Sequence, residues 1–164
     1  MKKSVIILML AGFFFVSGFA QTAPKIQRAY AYYSMSIPGM AMQDDNGNTI
    51  DPVITIDRII YVESPGTKMP DIRSVSYNKV EYKVVVSRVN ERIVHVGKRA
   101  ENGKEIMLSA RRGSIFWKLD LQLMKETDKA PREVKYIDIW GRADRRVYNF
   151  HLYNETKLLV PDRY

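Results

Sequence analysis

The sequence contains no cysteine and only two histidines. The first absence excludes a disulfide scaffold, a thiol enzyme and any cysteine-ligated zinc or iron–sulfur centre. The second leaves few general bases, because His95 and His151 each sit inside strand-like runs, Val94-His95-Val96 and Phe150-His151-Leu152. No nucleophile elbow, HExxH motif, paired-carboxylate motif or glycine-rich phosphate loop accompanies them. Sustained helical periodicity is missing, as are repeats, low-complexity tracts and long Gly/Ser linkers. These absences point away from an enzyme and toward work done by binding, with no cofactor implied. A hydrolase with a site dispersed along the chain is the least favoured reading.

The amino end carries an export pattern. Lys2 and Lys3 form a positive start, Val5–Val16 is an apolar and small-residue run, and Ser17-Gly18-Phe19-Ala20 places small residues before a cut at Gln21. The run is shorter than the roughly 20 residues that span a bilayer, so a cleaved signal peptide over 1–20 is expected rather than an anchor. No cysteine stands at the cut to take a lipid. The mature chain is then expected in the periplasm or outside, without a transmembrane anchor. It would hold 164 − 20 = 144 residues, and the formal charge of 26 − 18 = +8 would fall to +6 with the loss of Lys2 and Lys3. That length buries roughly two thirds of its unfolded surface, enough for one core without disulfides or metal.

After a polar lead-in, Gln21–Gln27, the remainder, 28–164, reads as one domain dominated by period-two alternation. Val80, Tyr82, Val84 and Val86 alternate with Glu81, Lys83 and Val85, and Ile115, Trp117, Leu119, Leu121 and Leu123 with Phe116, Lys118, Asp120 and Gln122. Two later runs have mixed faces: Val134, Tyr136, Asp138 and Trp140 oppose Lys135, Ile137 and Ile139, and Tyr148, Phe150 and Leu152 oppose Val147, Asn149 and His151. Asn102-Gly103 predicts a two-residue type I′ hairpin joining Arg92–Arg99 to Lys104–Ala110. Asp44–Asn48 separates Ala29–Ile37 from Val53–Glu63, Ser64-Pro65-Gly66 closes the latter, and Gly141–Asp144 links the last two long strands. Met124–Arg132, with its proline and charges, predicts a surface loop. About nine strands result. An antiparallel β-sandwich with immunoglobulin-like or Greek-key connections is expected, with a small barrel as the alternative. A lipid-facing barrel is disfavoured, since Val160-Pro161-Asp162-Arg163 breaks the apolar outer row it needs.

Several groups carry candidate chemistry. Met35, Met40 and Met42 offer soft thioethers that select Cu(I), with His95 or Met69 to complete a site, so a periplasmic small-ligand or copper carrier is the second functional reading. Methionines that fill gaps or give a plastic surface explain the same cluster. Asp44–Asp51 is oxygen-rich, but counting from Asp44 places Thr49 and Thr55 where a calcium loop needs Gly and Glu, so a polar hairpin tip is expected. Asp120 and Asp138 are explained by outward positions in alternating strands. The basic residues group as Arg88, Arg92, Lys98, Arg99 and Lys104, then Arg111 and Arg112, then Arg142, Arg145 and Arg146. Converging loops would make from them a patch for an acidic glycan, a lipid head group or an acidic protein, while a solvated rim balanced by neighbouring acids is the plainer account. Export argues against nucleic acid.

Tyr30, Tyr32 and Tyr33, followed by Met35 and Met40, leave the first strand apolar on both faces. Such a strand is either covered twice or exposed as a docking edge. Trp117 reads as core, and Trp140, beside Gly141 and a basic turn, as core or ligand platform. The first functional reading is therefore an exported, non-enzymatic binding or assembly module for another envelope or secreted protein. Its expected contact surfaces are Tyr30–Met42 and the turn Arg142–Arg146.

Overall fold

The computed structural model describes residues 23–36, 42–43, 46, 49–50, 54–124 and 129–160. The expected leader, Met40 and nearly all of the acidic turn lie outside them. Twelve strands and no helix occur among the described residues: β1 (Arg28–Ser36), β2 (Met42–Gln43), β3 (Thr49–Ile50), β4 (Thr55–Pro65), β5 (Asp71–Tyr77), β6 (Val80–Arg88), β7 (Ile93–Lys98), β8 (Glu105–Ser109), β9 (Ser114–Leu123), β10 (Ile137–Ala143), β11 (Arg146–Leu152) and β12 (Thr156–Lys157). Three of these are two-residue strands, leaving nine longer ones. The period-two alternation thus does become an all-β chain.

In place of two sheets of similar size, eight strands form one curled mixed sheet in the order β11-β10-β5-β6-β9-β4-β1-β12. The β1–β12 pair is parallel and all the others are antiparallel. The curl brings β11 back toward β1. Small ladders β2–β3 and β7–β8 complete the set. Register decides which residues face inward. Ile60 lies opposite Ala31 and Leu119, Leu119 opposite Val86, Val75 opposite Tyr82, and Ile139 opposite Val75 and Phe150. These residues share the concave face, where Ile60, Val62, Val75, Tyr77, Leu119, Ile137 and Ile139 are fully buried with Trp117 and Tyr82. Each such aliphatic side chain contributes about 1.5–3 kcal/mol relative to exposure. The lead-in joins this core through Ile26, which is buried, and the Gln27 N–H donates to the Glu63 carbonyl at 2.8 Å.

The convex face has its own cover. The β7–β8 hairpin lays Val94 and Leu108 on Tyr32, Tyr61 and Phe116. Residues after β12 tie that hairpin to the sheet: the Leu158 N–H donates to the Tyr33 carbonyl and the Leu159 N–H to the Lys98 carbonyl, both at 2.8 Å. The β7–β8 turn stands where Asn102-Gly103 predicts it, but it is not type I′. Only Gly103 has positive φ (66°), and the Arg99 N–H to Lys104 carbonyl bond closes a four-residue loop. The two-residue turns of non-glycine residues are elsewhere, at Asn78-Lys79 (φ 48° and 71°) and Asp144-Arg145 (φ 50° and 62°).

Two charged residues of β4 are buried. Arg58, 3% exposed on the concave face at one end of the curl, donates from Nε and Nη2 to the two Glu155 carboxylate oxygens at 3.0 Å each. It also donates to the Tyr82 hydroxyl at 2.9 Å and the Pro131 carbonyl at 2.6 Å, and lies 4.5 Å from the Tyr77 ring centroid. One guanidinium therefore staples the β9–β10 and β11–β12 connections to the sheet. On the convex face Glu63 pairs with Arg28 and accepts the Arg111 backbone N–H at 2.7 Å.

Burial opposes ionisation of Glu63, but the Arg28 hydrogen bond, the Arg111 N–H and the positive charges of both outweigh it and hold the carboxyl below its usual range. A depressed folded value stabilises the fold above the unfolded value of about 4.3, and that stabilisation is lost as pH falls through the folded value. Urea midpoints measured from neutral pH into acid should show it. Glu63→Gln is expected to be less stable at neutral pH and to fall less steeply than wild type as the solution is acidified. Parallel curves for the two proteins would remove Glu63 from the acid response.

Candidate functional site

Of the sequence-predicted residues, Trp140, Arg142, Arg145 and Arg146 are brought together by one hairpin. Asp144-Arg145 forms its two-residue turn, with both residues in the left-handed conformation that such turns require and that aspartate tolerates. Gly141 belongs to β10 rather than to the turn, which corrects the expected Gly141–Asp144 link. Its α-carbon carries the Tyr148 ring: a β-carbon there would meet Tyr148 Cζ and Oη at 2.6 Å. The phenol accepts the Ile26 N–H at 3.3 Å, and Lys25 Nζ lies 5.6 Å from the ring centroid. Tyr148, Phe150 and Leu152 therefore point inward, and the opposite face is open to solvent.

On that outer face the register pairs Arg142 with Val147, Trp140 with Asn149 and Asp138 with His151. Cross-strand neighbours touch. Trp140 is 40% and Val147 66% exposed, giving the hairpin a apolar surface beside its arginines. At the far end His151 Nδ1 lies 2.6 Å from Asp138 Oδ1, which also accepts Asn149 Nδ2 at 3.2 Å. Asn149 Oδ1 has no hydrogen-bond partner among the described residues. Ser76 neighbours Asp138 from the β5 side. The order across the sheet is thus Ser, Asp, His, whereas a serine triad needs His between the other two. The Asp138 carboxylate instead fixes the orientation of the exposed imidazole on the outer face.

β11 ends the sheet and carries no ladder on its outer side among the described residues. Beside it an open groove of about 680 Å³ is lined by Pro24, Lys25, Asp144, Arg146, Val147 and Tyr148. Val147 and Asn149 were not legible as site residues because the last two strand runs have mixed faces, and Lys25 was not because it lies in the polar lead-in, far from them in sequence. The shared parity of Val147 with Asn149 and His151 was the available signal.

The other predicted residues are placed differently. Tyr32 is buried beneath the β7–β8 hairpin, edge-on to Tyr61, and burial pushes its phenol up to about 12, with help from the neighbouring Tyr30 and Tyr61. Tyr30 is half-buried against Phe116 and Tyr33 is half-buried on the concave face. β1 is covered on both faces, so these tyrosines do not offer an exposed strip. Trp117 lies in the core, its indole N–H donating to the Ser64 hydroxyl at 3.0 Å. Asp120 points outward and pairs with Lys118 at 2.7 Å.

The methionine cluster is not assembled by the described residues. Met35 is half-buried on the concave face of β1, Met42 lies in β2 with its side chain outside the described set, and Met40 is outside it altogether. His95 is on the solvent side of β7 opposite Met107, across the sheet from Met35. Met35 pairs with Ile56, so Met69, beyond the other end of β4, is about 30 Å away along the strand. Among the described residues no group of three or more His, Asp or Glu side chains is placed to hold a metal ion, and no helix is long and apolar enough to cross a membrane. No protein family, curated protein or solved structure matches the chain.

Proposed function

We propose that this chain is an exported, non-enzymatic binding module that takes up an extended segment of another envelope or secreted protein as an added strand on β11. The observation that carries this reading is an edge strand of seven residues with no outer ladder among the described residues, beside an open groove and an exposed Trp140–Val147 surface. An unpaired edge presents a row of backbone donors and acceptors that templates a further strand. Main-chain bonds supply affinity there, and side chains on the flanking face supply choice. Trp140 is the aromatic anchor, of the residue type that dominates interface energetics. Lys25, Arg142, Arg145 and Arg146 favour a segment with acidic flanks. The curled sheet, backed by the β7–β8 layer, supplies the rigid support that a two-sheet sandwich would. The export pattern at Lys2–Ala20 sets the compartment, periplasm or exterior, in which the partner is sought.

A photocrosslinking residue at Val147, compared in the native host with one at the exposed Lys83, tests the reading. The expected result is a discrete exported partner captured from Val147 and not from Lys83, whose purified form binds at least about tenfold more weakly to Trp140→Ala. Identical capture patterns from the two positions in folded protein would sink it.

A further inference from the structure

Two connections carry the chain from the curled sheet to the β7–β8 layer and back, and they run side by side. Residues 89–92 leave β6 after Arg88, and residues 110–113 lead into β9. The Ala110 N–H donates to the Arg92 carbonyl at 3.2 Å, and the Val89 N–H to the Phe116 carbonyl at 3.0 Å. The Ser114 N–H donates to the Arg111 carbonyl at 3.0 Å, closing a turn whose third residue, Gly113, has φ of 79°, as a type II turn requires. These bonds hold the two segments as opposite walls of an open groove of about 410 Å³.

The charged lining of that groove is Arg88 and Arg92 from one wall, Arg111 and Arg112 from the other, and Glu91. All four arginines are exposed, and none makes a side-chain hydrogen bond or ion pair with a described residue. The charge of the nearby buried acid, Glu63, attracts Arg111 but is matched by its ion pair with Arg28, so it leaves the net charge of the groove unchanged, while its other carboxylate oxygen accepts the Arg111 backbone N–H. Glu63 thus positions the Arg111 wall while leaving its guanidinium available. Four cations against Glu91 leave 4 − 1 = 3 positive charges converging on one space. Such an arrangement concentrates positive potential and draws in a counter-ion.

The arginine fork matches phosphate oxygens bidentately, and a charge excess of this size suits two phosphoryl groups better than one carboxylate. The volume falls in the range of small-ligand sites, about 300–1,000 Å³, and excludes a folded domain. Val89 and Ile115 add an apolar wall for the carrier of the phosphates. We propose that this groove binds a multiply charged phosphate ester between the Arg88/Arg92 and Arg111/Arg112 pairs. The same chemistry is offered by a soluble sugar bisphosphate and by a phosphorylated lipid head group.

Calorimetric titration of the full chain with inorganic pyrophosphate and with a sugar bisphosphate, and co-sedimentation with phosphatidylcholine vesicles with and without phosphatidic acid, test the site. Saturable binding by wild type is expected in at least one arm. The soluble arms alone indicate a free ligand, and the vesicle arm alone indicates a head group. Arg111→Gln/Arg112→Gln should weaken it at least about tenfold, as should Arg88→Gln/Arg92→Gln on the opposite wall, while Lys83→Gln/Lys135→Gln stays within about twofold of wild type. The lysine pair removes as much charge elsewhere on the surface, so equal weakening by all three variants would reduce the effect to net charge and overturn the proposal. Absence of binding in every arm would overturn it as well.

Discussion

Arg58→Ala is expected to destabilise the protein by about 3–5 kcal/mol, the cost of leaving a buried carboxylate without its partner. Glu155 would lose both of its guanidinium bonds, and the Tyr82 hydroxyl and Pro131 carbonyl one each. The loss is larger than for an exposed ion pair because the side chains of Arg58 and Glu155 are 1% and 6% exposed. The ion pair itself need not be the favourable part, since apolar replacement of both partners is often neutral or better. Arg58→Met/Glu155→Leu should therefore recover much of the stability lost in Arg58→Ala. Urea unfolding of the three proteins decides it, and an Arg58→Ala midpoint close to wild type would show that the staple is dispensable.

Gly141→Ala is expected to cost about 1–3 kcal/mol, as an overpacked site does. The backbone of Gly141 does not have positive φ, so the penalty is not conformational. It comes from the Tyr148 ring, whose Cζ and Oη would lie 2.6 Å from the new methyl group and whose Cε1 would lie 3.0 Å away. The ring can yield only by releasing the Ile26 N–H that the phenol accepts. If that is the mechanism, Gly141→Ala and Tyr148→Ala will be non-additive, the double variant losing less than the sum of the singles. Additive losses would place the cost elsewhere. The same ring carries the seam beside β11, so Gly141→Ala should also weaken capture at Val147.

Residue pattern alone reaches the strand class because burial of one face imposes period two, as in Val80–Val86 and Ile115–Leu123. It does not reach the faces of β10 and β11. Ile137 and Ile139 face inward only because they register against Tyr77 and Val75, a long-range fact with no local signature. Turns formed by glycine are legible, but Asn78-Lys79 and Asp144-Arg145 adopt left-handed backbone without glycine, and composition hides them. Gly141 misleads in the opposite sense, since a glycine that receives an aromatic ring resembles one that makes a turn. Arg58 shares the parity of Ile60 and Val62, and that alternation was the one trace of its burial. The arginine groove divides in the same way: its four members are visible as basic pairs, but their convergence depends on two crossings to the β7–β8 layer.

The placement of β12 has a kinetic side. Tyr32 pairs with Thr156, 156 − 32 = 124 residues away, and Arg99 forms an isolated bridge with Leu158. β4 and β9, at the centre of the sheet, are likewise joined across some sixty residues, as in the Ile60–Leu119 pair. A chain whose first long strand is completed by its last short one closes large loops before most of its contacts can form, which places its folding toward the slow, millisecond-to-second end for small domains. An emerging chain of this kind stays open until nearly all of it is available.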